Sequence, residues 1–511
     1  MTKISKKTFY NLSGGIDLKS SRVGQSARNN KVYWDDSFNV EILNNQGVCT
    51  QKGNIRILEN DANSEIIGIH QVKPMLSDFV YLTKNGELYY YESDLSQSRH
   101  LKTLENAPIG FCAVNFLDGV VVVTGNNYPI YIKTPVAEGV TDIKIKKTDE
   151  EYVLGRAVAV YASRVWISEG STLYFSALGN ISDWESDQDA GYIGKFHSSS
   201  TEIVALCEYS GSLAVYKQDG VYLLSGSSVD DFAIKKYGNL GTLSPKSALS
   251  VDNRQYFVNI SGVYALEQFG ELAQIALSDN ISSPVVSEFE KIDKNKFEKI
   301  TVLEKMSKNQ IWFFLPMVDF EFKGYFLIYD FENKAWLKRL VPYEITAAAN
   351  VNGEILTADK FGSIYREDFG NTFSGKPIQF KFSTSFFDFG KPNVRKICDE
   401  VHLIFDENYE NLFDFYVCKD FKKSKISDVA RVQTISDKTL VFSSDTCEEY
   451  INNSSWAEDS GGFYWADFAD NASRVEVFDS NYSVQLNLQS RNIGDGFGLI
   501  GIEFRDILED L

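Results

Sequence analysis

Histidine, cysteine and proline are scarce in this 511-residue chain, with four, six and ten residues. The histidines, His70, His100, His197 and His402, lie far apart in sequence. A histidine triad or metal site therefore requires the fold to gather them, and their plain reading is as surface or satisfied core side chains. The cysteines (Cys49, Cys112, Cys207, Cys398, Cys418 and Cys447) contain no CxxC or CxxxC pair. That argues against a zinc ribbon or disulfide scaffold and for free thiols in a protein made in a reducing cytoplasm. No GxSxG, HExxH or GxxxxGK[ST] motif occurs, so hydrolase and nucleotide-binding readings lose their usual support. No run of about 18 apolar residues is present, and residues 1–10 carry lysines without an apolar segment; neither a membrane span nor a signal peptide is expected. Positive charge is also short: 51 Lys and Arg against 70 Asp and Glu leave −19. Tight wrapping of nucleic acid is excluded by that balance.

What the chain has in quantity is aromatic residues, 36 Phe and 27 Tyr, in a sequence that is 43% hydrophobic. Alternation, rather than a 3.6-residue period, dominates locally, which predicts a mostly β protein. A motif recurs in which short aromatic or β-branched strands flank a turn glycine, at Gly86, Gly125, Gly170, Gly220, Gly262, Gly324 and Gly362. The seven glycines are spaced on average 46 residues apart, and a four-stranded propeller blade needs roughly 40 to 50 residues. Asn-Gly at Gly86, Asp-Gly at Gly220 and Ser-Gly at Gly262 are expected to supply the positive φ of tight turns. A large β-sandwich is the alternative, but it has no reason to repeat so long a unit.

The expected fold class is all-β: a β-propeller of six or seven blades with a second antiparallel β domain. Residues 1–56 are read as an N-terminal arm and first strands that pack with the C-terminal β domain or a neighbouring ring. Residues 57–371 form the propeller. Residues 372–511 form a β-sandwich-like domain, with Phe380, Phe382, Thr384 and Phe386 on one face and a polar segment near 422–470 read as loops or an insertion. Residues 288–299 are read as a short, mostly exposed helix between blades.

The best acidic cluster is Asp183, Glu185, Asp187 and Asp189, whose every-second-residue spacing can offer oxygens to Ca²⁺ but lacks the glycine and final glutamate of an EF-hand loop. A solvated acidic loop is the plainer reading. Trp166, Trp312 and Trp336 sit in strand patterns and read as core. Trp34, Trp184, Trp456 and Trp465 sit near loops, where glycan stacking or subunit contact is a further option. No catalytic, cofactor-binding or metal-ligating residue is assigned, and no cofactor is expected.

Residues 9–53 carry Phe9, Gly14-Gly15-Ile16, Asn39-Val40 and Lys52-Gly53 in an order that resembles the opening of phage tail proteins of the nozzle, or packaged-DNA stabilisation, family. The family's usual Arg-Pro-Gly is here Gln51-Lys52-Gly53. Residues 165–184, the hairpins around Gly220 and Gly262, IYDFENKAW with Trp336, and the step from SGKPIQFKFST into FDFGKPNVRK are similar to that family's propeller segments and its exit into a second β domain. The resemblance implies a virion component without catalytic residues, made in the host bacterial cytoplasm. It implies a homo-oligomeric ring, commonly a hexamer, around the DNA exit channel, with other tail or connector proteins as partners and transient contact with genomic dsDNA. A receptor-binding or fibre-docking propeller adaptor is the alternative, and a polysaccharide-degrading propeller enzyme a third reading.

Overall fold

The computed structural model describes residues 2–19, 31–59, 64–134, 139–186, 189–194, 201–269, 274–318, 324–406, 408–426, 429–434, 440–444, 472–490, 492 and 494–510. By contact density the chain divides into two units, one of Arg56–Leu327 and Val341–Glu367, the other of Met1–Ile55, Ile328–Leu340 and Asp368–Leu511.

The larger unit holds most of a seven-bladed β-propeller. Its four-stranded antiparallel sheets run in sequence order. Blade 1 extends from Ile66–Gln71 to Gln97–Thr103, blade 2 from Cys112–Phe116 to Val140–Asp142, and blade 3 from Ala157–Tyr161 to Gly191–Ile193. Blade 4 extends from Ile203–Tyr209 to Ala233–Gly238, blade 5 from Ala248–Val251 to Gln274–Leu277, and blade 6 from Thr301–Lys305 to Ala335–Val341. Blade 7 takes three strands from Ile345–Val351, Glu354–Asp359 and Ser363–Glu367, and its fourth from Asn54–Glu59, far upstream. The first strand of each blade adjoins the first strand of the next, and blade 7 meets blade 1, so seven strands ring one axis.

The strand sequences follow from this packing. A blade is covered on both faces by its neighbours, so its inner strands read as near-continuous apolar runs. Phe79–Thr83, Gly119–Val123 and Gln310–Phe314 are buried throughout, whereas the peripheral strand Gln97–Thr103 is polar and largely exposed. Between blades 3 and 4, Trp166, Leu173 and Phe175 pack on Leu213, Val215 and Tyr222. Each fully buried side chain of this kind contributes about 2 kcal/mol of transfer free energy.

All seven glycines of the repeat fall in one structural position, at or beside the connection between the second and third strand of a blade. Their chemistry differs from expectation at Gly220. Gly86, Gly125, Gly170, Gly262 and Gly362 have positive φ, but Gly220 and Gly324 do not. A Cβ on Gly220 would lie 2.6 Å from the Gly238 carbonyl oxygen of the next strand, so close strand approach, not turn conformation, requires glycine there.

The other unit holds two six-stranded sheets. In one, Gly498–Asp510 lies between Arg395–Phe405 on one side and both Val48–Thr50 and Thr2–Phe9 on the other. The other is centred on Val484–Gln489 and Leu412–Lys419. Phenylalanines meet between the sheets, with Phe405 on Phe413 at 5.9 Å and Phe387 on Phe504 at 4.9 Å. Phe380, Phe382, Thr384 and Phe386 are all buried. The polar segment near 422–470 is not simply loop: Lys422–Ile426, Ala430–Thr434 and Leu440–Ser444 are strands of the second sheet, and residues 445–470 lie outside the described residues. The segment Ile328–Leu340, inside the span read from sequence as propeller, groups by contacts with this unit.

Candidate functional site

At the propeller axis the fold brings together polar side chains from six of the seven blades. The penultimate residue of each innermost strand is, from blade 1 to blade 7, His70, Asn115, Val160, Glu208, Ser250, Glu304 and Asn350. Six of the seven are polar, although the strands they belong to are mostly buried and apolar. They link neighbouring blades in pairs. His70 Nε2 is 3.1 Å from Asn115 Oδ1, the Ser250 hydroxyl donates to the Glu208 carbonyl at 2.6 Å, and Asn350 Nδ2 donates to the Glu304 carbonyl at 2.5 Å. Gln255 adds a donor to the Glu208 carbonyl at 3.2 Å and is held from behind by the Tyr216 hydroxyl at 2.7 Å.

Burial sets the charge state at this mouth. It pulls His70 down to about 4, against a smaller opposing effect of Asn115, so its imidazole is neutral at physiological pH. Burial, reinforced by Asp252, raises Glu304. Among the described residues here, no hydroxyl or thiol is hydrogen-bonded to a histidine. The ring offers donors and acceptors, without a nucleophile paired to a base.

The opposite mouth, where the innermost strands begin, is charged. Residues 278–300 lead from blade 5 to blade 6, and within them Lys294–Lys299 forms 3-10 turns with no buried residue. Lys299 pairs at 2.7 Å with Glu65, directly before blade 1, and Lys296 at 3.2 Å with Glu344, directly before blade 7. Glu298 pairs with Arg156, directly before blade 3, and Arg156 also reaches Glu202, directly before blade 4, at 2.8 Å. In a ring of seven, blade 3 is as far from blade 6 as any blade is. A segment that enters blade 6 and touches blades 7, 1 and 3 therefore crosses the axis. Burial raises the Glu65 carboxyl, but the hydrogen bonds and charges of Lys299 and Lys84 outweigh it and leave the group below the usual carboxylate range. The short exposed helix expected over 288–299 is thus replaced by a helical turn at Val286–Phe289 and this charged crossing, and Glu288 is buried against the Tyr325 hydroxyl at 2.7 Å.

The residues singled out by sequence are dispersed. Asp183 accepts the backbone N–H groups of Glu185 and Ser186, Glu185 pairs with Lys146 at 3.3 Å, and Asp189 pairs with Arg164 at 2.5 Å while accepting the Leu178 N–H. Their oxygens serve the protein's own donors; Asp187 lies outside the described residues. Among the described residues no group of three or more His, Cys, Asp or Glu could hold a metal ion. His100 pairs with Glu87, His402 is buried, and His197 lies outside the described residues. Among the described residues Cys49, Cys112, Cys207, Cys398 and Cys418 form no disulfide, and Cys447 is outside the described residues.

Trp166, Trp312 and Trp336 are core, as expected. Trp34 and Trp184 are buried as well, which decides between the two readings left open for them in favour of core. The Trp34 indole donates to the Leu12 carbonyl at 2.6 Å and stands edge-on to Phe382, and the Trp184 indole donates to the Ile181 carbonyl at 2.7 Å. Trp456 and Trp465 lie outside the described residues. In sequence Val32-Tyr33-Trp34 is one unbroken apolar run whose alternation in burial emerges only in the fold, and nothing in the sequence marked the axial ring.

No family model matches the chain, and no curated protein matches it. Solved structures do. YCF48 from Cyanidioschyzon merolae is 10% identical over 62% of this chain and 98% of its own, with a TM-score of 0.41. A catalytically inactive virginiamycin B lyase from Staphylococcus aureus, solved with quinupristin, is 10% identical over 60% of this chain and 97% of its own, with a TM-score of 0.43. The computationally designed Ika8 protein is 11% identical over 63% and 100%, with a TM-score of 0.39. The chain's own sheet topology, seven four-stranded antiparallel blades and two six-stranded sheets, makes it a β-propeller protein with a second antiparallel β unit.

Proposed function

We propose that the chain is a structural subunit of a bacteriophage tail, forming a closed ring around the DNA exit channel that helps retain the packaged genome and passes it during ejection. The observation that carries this reading is the conformational role of the residues that resemble the nozzle family. Gly15 has φ +68°, and a Cβ there would lie 2.7 Å from the Ala335 side chain and 2.9 Å from the Trp336 nitrogen. Asn39 has φ +55°, is fully buried, and donates to the Leu340 carbonyl at 2.9 Å and the Gln379 carbonyl at 2.6 Å. A Cβ on Gly53 would fall 1.9 Å from the Thr372 carbonyl oxygen. The motif residues are therefore fixed by backbone geometry, as befits a shared architecture rather than a shared active site. A net charge of −19 suits a wall past which DNA slides without being held.

On this reading the partners are identical subunits, six to the ring, and the adjoining tail or connector proteins, and the protein is not an enzyme. Cryo-microscopy of the native particle, with native mass spectrometry of the isolated assembly, tests it. The expected result is a closed ring of identical subunits on the DNA exit axis. A monomer, or a propeller placed away from that axis, would overturn it.

A further inference from the structure

The ionic crossing at the mouth where the innermost strands begin has a consequence independent of the virion reading. We infer that Lys294–Lys299 is a lid on the propeller's axial channel, held shut by charge and able to open as a unit while the blades stay folded. Three observations combine. The segment spans the axis, from blade 6 to Arg156 beside blade 3. It contributes no buried residue, so little apolar burial holds it. Its anchors, Lys296–Glu344, Glu298–Arg156 and Lys299–Glu65, are ion pairs whose side chains retain between 17% and 46% of their exposure.

Pairs as open to water as these are individually weak and are screened by salt. The blades beneath are held by continuous apolar packing, which salt does not weaken. Local opening of the lid therefore lies well below global unfolding in free energy. Behind the lid lie Cys112, the first residue of blade 2's innermost strand, and Lys246, just before that of blade 5. Glu298 acts electrostatically on both. The Cys112 thiol, at the start of its strand, is buried where blades 2 and 3 meet and contacts the Val158 carbonyl, so its labelling reads opening at this mouth, whereas Cys207 lies two residues from the end of its innermost strand and reads the other.

The test compares the full-length protein with the triple variant Lys296→Gln, Glu298→Gln, Lys299→Gln. Hydrogen exchange of the peptide covering residues 293–300 reads release of the lid, and maleimide labelling of Cys112, located by peptide mass, reads access to the channel. In the variant, both rates rise by about tenfold while Cys207 labelling and exchange in Ala157–Tyr161 stay unchanged. Raising the salt to about 1 M, where the Debye length is about 3 Å, reproduces the effect in the unmodified protein. Release of the peptide with Cys112 still protected would overturn the inference, as would no acceleration of either rate. A parallel rise in Cys207 labelling would also overturn it, because the blades would then be opening with the lid.

Discussion

A histidine kept neutral by burial is a source of acid instability, and His70 is held in that state in the axial ring. Its folded-state value, about 4, lies below its ordinary 6.5. Between those two pH values the unfolded chain takes up a proton that the folded chain does not, so the stabilisation is intact above pH 6.5 and is lost progressively as pH falls towards 4. Replacing His70 with Gln, which can still hydrogen-bond Asn115, should remove about 2 kcal/mol of the stability lost over that window. Denaturant melts at pH 7 and pH 4.5 check this, and equal acid sensitivity in both proteins would refute it. A second residue-scale feature is the turn between first and second strands. In blades 3, 4, 5 and 7 it is a two-residue turn with both residues at positive φ: Ala162-Ser163, Ser210-Gly211, Asp252-Asn253 and Asn352-Gly353. Such turns match the twist of the strands but penalise a Cβ. Ser163→Gly is therefore expected to stabilise by about 0.5–1 kcal/mol, and Gly353→Ser, at a site with open space around the added atom, to destabilise by a similar amount. Thermal melts of the pair should move in opposite directions.

At the scale of the element, the repeat was visible in sequence because every blade places a glycine near the same connection. The reason for the glycine was not visible, because Asp-Gly reads as turn chemistry whether or not the turn uses it. Gly220→Ala separates the two. It forces a methyl group against the Gly238 carbonyl and should cost about 2 kcal/mol, whereas Gly170→Ala, at positive φ but with nothing near, should cost about 1 kcal/mol. Equal losses in the two melts would return Gly220 to a turn role. Elements whose sequence is charged were the hardest to read. EFEKIDKNKFEK has the composition of a solvated helix, and only the folded ring reveals that Glu298, Lys296 and Lys299 face partners just ahead of blades 3, 7 and 1. Likewise Leu440–Ser444 is a strand inside a polar stretch, because pairing with Ala430–Thr434 satisfies its backbone whatever its side chains.

For the whole molecule, fold class and approximate blade number were legible because burial on both faces writes a blade into sequence as apolar runs that recur on average every 46 residues. The axial ring was not legible, since its seven members come from seven separate strands and share no local pattern. One feature of the propeller also bears on how the chain is made. Blade 7 joins Ser363–Glu367 to Asn54–Glu59, strands separated by roughly 300 residues of chain, so the circle closes only after the distal partner has left the ribosome. At roughly 5–20 residues per second, that is a wait of about 15–60 s. Throughout it the first strand of blade 1 lacks the neighbour that will cover its apolar flank, including Ile66 and Ile69, which pack on Ala347 and Ala349 only once blade 7 exists. Synthesis therefore carries a timed window of stickiness, ended by a single late docking event, in which nascent chains depend on chaperones or on dilution from one another to avoid joining across molecules the blade that each must complete within itself.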